Sequence, residues 1–232
     1  MSVMPAALDP PITEQAETVD EVWTLFLWIG LGVLALVVGL VLWVMIRYRR
    51  RDNRLPRQKH YNIPMEVTYT VIPFLVVCAL FAVTYVTVQA IDDNPDDPDL
   101  VVHVTGYQWS WQFEYPDDGV VIVDDSDDED PELVLPSEST VRFDLESIDV
   151  IHSFWLTPFR FKRDMIPGSP SSFTVDIDDT VGEFPNAGVC AEFCGLDHAR
   201  MRFRLRVLPP DEFEQWLEDH RSASAAVEGD VP

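Results

Sequence analysis

Two thiols, an imidazole and a thioether fall within twelve residues, in Cys190-Ala-Glu-Phe-Cys-Gly-Leu-Asp-His-Ala-Arg-Met201. A second imidazole, His152, begins an apolar stretch some forty residues earlier. Cys190 and Cys194 could form a disulfide in an oxidising compartment. With His152 and His198 they could make a tetrahedral zinc site. One Cys, two His and a weak axial Met would make a single blue-copper site. The disulfide leaves His198 and Met201 without a role, zinc leaves Met201 over, and one copper leaves a thiolate over. Two copper ions bridged by both thiolates use the whole set, and soft sulfur donors suit copper that changes oxidation state. On spacing alone these alternatives stay open.

The elements that must position these residues read as a membrane-anchored β-domain. Residues 22–46 and 67–91 are two uncharged runs of 25 residues. At ~1.5 Å per residue each spans a hydrocarbon core of ~30 Å. Trp23, Trp28 and Trp43 are placed as interfacial anchors. Pro73 lies inside the second run and predicts a kink there, while Cys78 reads as apolar filler. Residues 1–46 carry five acids and no Lys or Arg, and residues 47–66 carry seven bases and two acids. Basic loops stay inside, so the 47–66 link is expected in the cytoplasm and both termini outside. The N-terminus has no positive stretch ahead of its apolar run, which predicts a retained helix.

Beyond the second run the pattern changes. The expected boundaries are an outer tail (1–21), a helical hairpin (22–91), an acidic linker (92–99), a β-domain (100–220) and a flexible tail (221–232). Short apolar–polar alternations predict strands at LVVHVTG, QWSWQFEY, VVIV, ELVLP, TVRFDL, VIHSFWL, SFTVDI and MRFRLRVL, as in a β-sandwich or barrel. PPDEFEQWLED predicts a short terminal helix with Phe213, Trp216 and Leu217 on one face. The net charge is −24, and nine bases against 33 acids follow residue 66. The acids run through loops everywhere, which favours the general acidity of a halophile over a dedicated docking patch. At molar salt the Debye length is ~3 Å, so long-range steering would be nearly absent.

The chain resembles subunit II of cytochrome c oxidase from the first apolar run to Leu217. The resemblance rests on Glu66-Val-Thr-Tyr-Thr-Val-Ile-Pro73, Gly106-Tyr-Gln-Trp-Ser-Trp111, Asp149-Val-Ile-His-Ser-Phe154, Asp164-Met-Ile-Pro-Gly168 and the Cys190–Met201 segment. It implies two transmembrane helices followed by a cupredoxin-like Greek-key β-barrel. It also implies a binuclear copper centre, CuA, on His152, Cys190, Cys194, His198 and Met201, with both cysteines bridging. Glu192 would add its backbone carbonyl, and its side chain would point to a magnesium or manganese site shared with subunit I. Asp149 would orient His152, although it reads equally well as a turn acid. Trp109 would receive the electron, although an aromatic strand such as QWSWQFEY is by itself more often core. Glu66 would lie near the mouth of a proton pathway, although an acid at a helix N-terminus also favours the dipole. Tyr107 and Ser110 stand where relatives commonly have His and an aromatic residue, which bears on the docking partner.

The implied function is electron transfer. A soluble cytochrome c or an acidic blue-copper protein would reduce the copper, and haem in subunit I would receive the electron for reduction of oxygen to water. The rivals are a quinol oxidase subunit, which lacks the copper ligands, and a membrane-tethered copper carrier, which needs neither Glu66 nor the aromatic strand. The copper domain of nitrous oxide reductase shares the motif but follows a large propeller. His60, His103 and His220 read as loop, strand and helix-surface residues.

Overall fold

The computed structural model describes residues 10–50, 59–92, 95, 97–123 and 130–228, with side chains as far as Arg221. The chain divides into two compact units.

The helical unit follows from the two apolar runs. Helix α1 spans Glu14–Arg47 and α2 spans Ile63–Ile91, 34 and 29 residues long. Both are long and apolar enough to cross a membrane, and no residue of α2 is buried. Leu, Val and Phe side chains facing outward along the helices are what a lipid solvent requires. Helix α2 is continuous through Pro73. Asn62 precedes its first turn, and its backbone N–H donates to Glu66 Oε1 at 2.9 Å. The central part of the basic link, 51–58, lies outside the described residues, as do 1–9 and positions 93, 94 and 96 of the acidic linker.

The second unit is a β-sandwich. One sheet has the order β3-β2-β1-β5-β8, from Val120–Ile122, Ser110–Tyr115, Leu100–Tyr107, Ser139–Ser147 and Ser171–Ile177. The other has the order β4-β10-β9-β6-β7, from Glu132–Pro136, Arg202–Leu208, Gly182–Cys190, His152–Leu156 and Phe161–Met165. Parallel pairs β1·β5 and β4·β10 sit among otherwise antiparallel ladders. Alternate residues point inward, and the core between the sheets packs aliphatic side chains around a connected set of aromatic rings. Phe154 stacks on Phe203 with centroids 4.9 Å apart, and Trp111 meets both edge-on at 5.5 Å.

Four local features differ from expectation. First, β7 and β9 were not predicted. Strand β7 (FKRDM) is a charged edge strand, and β9 (GEFPNAGVC) contains Gly, Pro and Asn, which normally punctuate. Its ladder with β10 shifts register between Phe203 and Leu205, and such an irregularity accommodates Pro185. Second, QWSWQFEY is not one strand, because Gln108 and Trp109 form the turn between β1 and β2. Third, the terminal helix α3 runs Pro210–Glu228, beyond the expected Asp219, through an Ala-containing stretch of good helix formers. Phe213, Trp216 and Leu217 are buried as expected, against Tyr115. Fourth, residues 10–20 are not a loose tail. Ile12 and Ala16 are fully buried, Thr13 bridges Ile177, and Gln15 exchanges two hydrogen bonds with Asp176 at 2.8 and 3.0 Å. Thr13 Oγ1 accepts from the Ala16 N–H and starts α1 eight residues before Val22.

Candidate metal centre

The sulfur and nitrogen donors converge where β6, β9 and β10 meet at one end of the sandwich. Strand β9 ends in Cys190, and β10 begins directly after Met201. The Cys190 N–H donates to the Met201 carbonyl at 2.9 Å, which closes the base of the intervening loop. The Ala191 N–H donates to the Ser153 carbonyl at 2.9 Å, which ties the loop to β6 beside His152. A 3₁₀ turn, His198–Arg200, then brings His198 and Met201 back toward the cysteines.

Within this frame Cys190 Sγ lies 3.8 Å from Cys194 Sγ, and both thiols are free. Each sulfur has its own imidazole. His152 Nδ1 is 3.8 Å from Cys190 Sγ, and His198 Nδ1 is 3.6 Å from Cys194 Sγ. Met201 Sδ lies 3.7 Å from Cys194 Sγ, and the Glu192 carbonyl lies 3.2 Å from Cys190 Sγ. His152, Cys190, Cys194 and Met201 are buried. The Glu192 side chain is exposed. Among the described residues, His152, Cys190 and Cys194 form the single grouping of His, Cys and acidic ligand atoms close enough to share an ion.

Neighbours orient the donors. Asp149 Oδ1 faces His152 Nε2 at 2.8 Å, so that nitrogen donates and Nδ1 is turned toward the sulfurs. Gly106 on β1 lets the ring pack closely, since a Cβ there would meet His152 Cδ2 and Met165 Cε at 3.3 Å. The β1–β2 turn lies against the ligand loop. Gln108 Nε2 and Trp109 Nε1 both donate to the Cys194 carbonyl, at 2.7 and 3.3 Å. Gly195 has φ +128°, and a Cβ there would come within 3.0 Å of Trp109 Nε1. Sequence reasoning missed Gln108 and Gly195. The Cys-Gly step was a visible signal for a special backbone, but nothing local showed what would press on it.

The electrostatics suit metal exchange with protons. Burial raises the Cys194 thiol, and the neighbouring Cys190 charge adds to this, to about 12. Burial also acts to raise Cys190, but hydrogen bonds from His152 and from backbone groups outweigh it and bring the thiol to about 6. Burial opposes the charged form of His152, yet Cys190 and Asp149 on either side raise its pKa.

Two family models match the chain. The periplasmic domain of cytochrome c oxidase subunit II matches residues 100–207, and its transmembrane domain matches residues 4–86. The chain belongs to the cytochrome c oxidase subunit II family. Among curated relatives, the "Probable cytochrome c oxidase subunit 2" of Streptomyces avermitilis is 36% identical, over 90% of this chain and 77% of that protein. The cytochrome c oxidase subunit 2 of Mycobacterium tuberculosis is 32% identical, over 83% and 70%. The periplasmic domain of the Bradyrhizobium japonicum subunit superposes with a TM-score of 0.49 and 31% identity, over 55% of this chain and 96% of that one.

As a member of this family the chain is the subunit at which electrons enter a haem–copper terminal oxidase. It has two membrane-spanning helices and a cupredoxin-like β-domain outside the membrane. A copper site of the CuA type is expected of a subunit II, and the donor chemistry fits it, with paired soft thiolates, an imidazole on each and a thioether. Glu66 belongs to the helical unit, where its carboxylate caps α2.

Proposed function

We propose that Cys190, Cys194, His152, His198 and Met201, with the Glu192 backbone carbonyl, hold the binuclear CuA centre. The single observation that carries this is the pairing of two adjacent sulfurs with one imidazole each. A copper pair held by these donors would supply one-electron exchange. The chain preorganises the donors for that task. Asp149 fixes the His152 tautomer, the Cys190–Met201 backbone bond fixes the loop ends, and the aromatic core excludes water.

Trp109 is the electron port, supported by its indole contact with the carbonyl of ligand residue Cys194. A soluble outer carrier, a cytochrome c or an acidic blue-copper protein, donates there, and haem in subunit I receives the electron. The exposed Glu192 carboxylate serves a magnesium or manganese ion shared with subunit I. Glu66 lies at the cytoplasmic end of α2, near a proton-pathway entrance, in addition to its capping bond. Both termini lie outside, since the seven bases of 47–66 favour the inner side. The acidity suits a halophile.

The test is electron paramagnetic resonance on the purified oxidase with copper analysis. Two coppers in this subunit and a spin shared over both nuclei are expected. One copper with a single-nucleus hyperfine pattern would refute the proposal.

A further inference from the structure

We infer that the outer face of the sheet carrying the ligand strands is the recognition surface for an acidic soluble electron donor. This rests on the reading of the chain as acceptor of such a donor. The domain is strongly anionic, yet its few cations are not scattered. Of the nine bases beyond residue 66, seven lie between Arg160 and Arg163 or between Arg200 and Arg206. These are the β7 and β10 strands with their adjoining turns.

Strand register shows how they assemble. Trp155 on β6 pairs with Lys162 on β7 and with Val189 on β9, and Val189 pairs with Arg202 on β10. Because side chains alternate between faces, these four form one cross-strand row opposite the inward-facing Phe154 and Phe203. Arg204 is two residues along β10, on the same face as Arg202. Arg160 lies in the turn before β7, with Nη1 donating to the Thr157 carbonyl. The result is an aromatic and apolar centre with cations at both ends, beyond which lie Asp164 on β7 and Glu183 on β9, the latter paired with Arg206. Lys162 and Arg202 are exposed, and neither makes an ion pair among the described residues. Arg163 and Arg206 are engaged instead by Asp92 and Glu132, at 2.9 and 2.8 Å.

Position ties this face to electron transfer. Val189 immediately precedes Cys190, and Arg202 immediately follows Met201. The face therefore borders the ligand loop from the β6–β9–β10 sheet, while Trp109 contacts the same loop from the β1–β2 turn. An acidic carrier would be repelled by the rest of the anionic domain, so this face sets its orientation. Trp and Arg around an apolar centre are also the composition of interface hot spots. In strong salt the cations act at contact distance rather than by steering.

The experiment uses the intact oxidase and a reduced acidic blue-copper protein, plant plastocyanin, as probe. Stopped-flow reduction is followed against probe concentration at low and at molar potassium chloride, and calorimetry measures binding without electron flow. The double variant K162E/R202E should raise the half-saturating concentration about tenfold or more while leaving the limiting rate unchanged. Trp109→Ala should do the reverse. The conservative pair K162R/R202K should behave as wild type. Unchanged half-saturation in the reversed variant overturns the inference, and so does wild-type binding restricted to a basic cytochrome c. If the reversed variant no longer copurifies with the haem subunit, the face is a subunit contact and the inference is also overturned. Loss of binding to anionic vesicles alone would make it a lipid face, with the same consequence. A wild-type spectrum without a delocalised copper pair would refute the metal proposal instead, while calorimetry still decides the face.

Discussion

At the scale of residues, the ligand cluster makes distinct demands on its two sulfurs. In the metal-free, reduced domain hydrogen bonds from His152 and backbone groups outweigh burial and hold the Cys190 thiol down, whereas burial and the Cys190 charge push Cys194 up. As pH rises through about 6, Cys190 becomes a thiolate while Cys194 stays protonated. Alkylation monitored by mass spectrometry at neutral pH should therefore favour Cys190, with a rate that falls below pH 6; equal labelling of both thiols would contradict this. Because Cys190 lies below the ordinary thiol value, its contribution to stability is full above that value and is lost as pH falls through about 6. His152 has the opposite sign. Its raised pKa favours the folded apo state at low pH, so copper must displace a proton and loading should weaken as pH falls. In the loaded protein, Cys194→Ser should abolish the delocalised spectrum. Met201→Leu should retain a copper site of altered potential, because a thioether is a weak ligand. Gly188→Ala probes packing, since its Cβ would fall 2.2 Å from the Phe203 ring. It should cost about 1–3 kcal/mol, read as a lower melting temperature.

The elements carry a dependence that the order of the chain conceals. Residues 10–19 complete the β-domain, although eighty residues of helix and link separate them from β1. Ile12 is fully buried, its carbonyl accepts from the Asp178 N–H at 3.1 Å, and Gln15 holds Asp176. A soluble fragment beginning at Asp92 loses this segment. Burial of a side chain such as Ile12 is worth about 1.5–3 kcal/mol, and with the lost hydrogen bonds the fragment should melt on the order of 10 °C below one that retains 10–19. A peptide of residues 10–19 added in trans should restore part of the difference in a thermal melt; identical melts with and without the segment would show that the contact contributes nothing. For the helices, cysteines introduced at Arg54 and Ser222 test orientation. Labelling of intact cells should reach 222 without permeation and 54 only after it.

At the scale of the whole molecule, the charge of −24 governs behaviour in salt. Beyond residue 66 acids outnumber bases 33 to nine, and seven of those bases lie in two short segments, so the bases cannot neutralise most of the acids. Self-repulsion is then strong in dilute buffer and nearly screened at molar salt. The melting temperature of the β-domain with residues 10–19 should climb steeply with potassium chloride. A flat profile from dilute buffer to molar salt would mean that the acids do not limit folding.

The membrane runs, the alternation of most strands and the cluster of candidate donors in Cys190–Met201 were legible because each is a local pattern, although spacing alone left the choice among disulfide, zinc and copper open. Spacing within Cys190–Met201 places four donors on one loop, and length with absence of charge marks a span. Other features needed the fold. Strand β9 contains Pro185 and Asn186, so its pairing depends on β6 and β10 and not on its own propensity. Trp109 was read as a strand residue, but the β1–β2 turn places it on the Cys194 carbonyl. Gly195 and Gln108 matter only because two elements far apart in sequence press together there. Residues 10–13 lack any periodicity that would announce burial, and Ile12 and Thr13 find long-range partners only in the fold, at the end of β8 and at the Pro158 carbonyl. The basic face was hidden for the same reason, since Lys162 and Arg202 are forty residues apart and join one cross-strand row with Trp155 and Val189 only through strand register. Local chemistry is written along the chain, whereas long-range packing decides which of those local features share a surface.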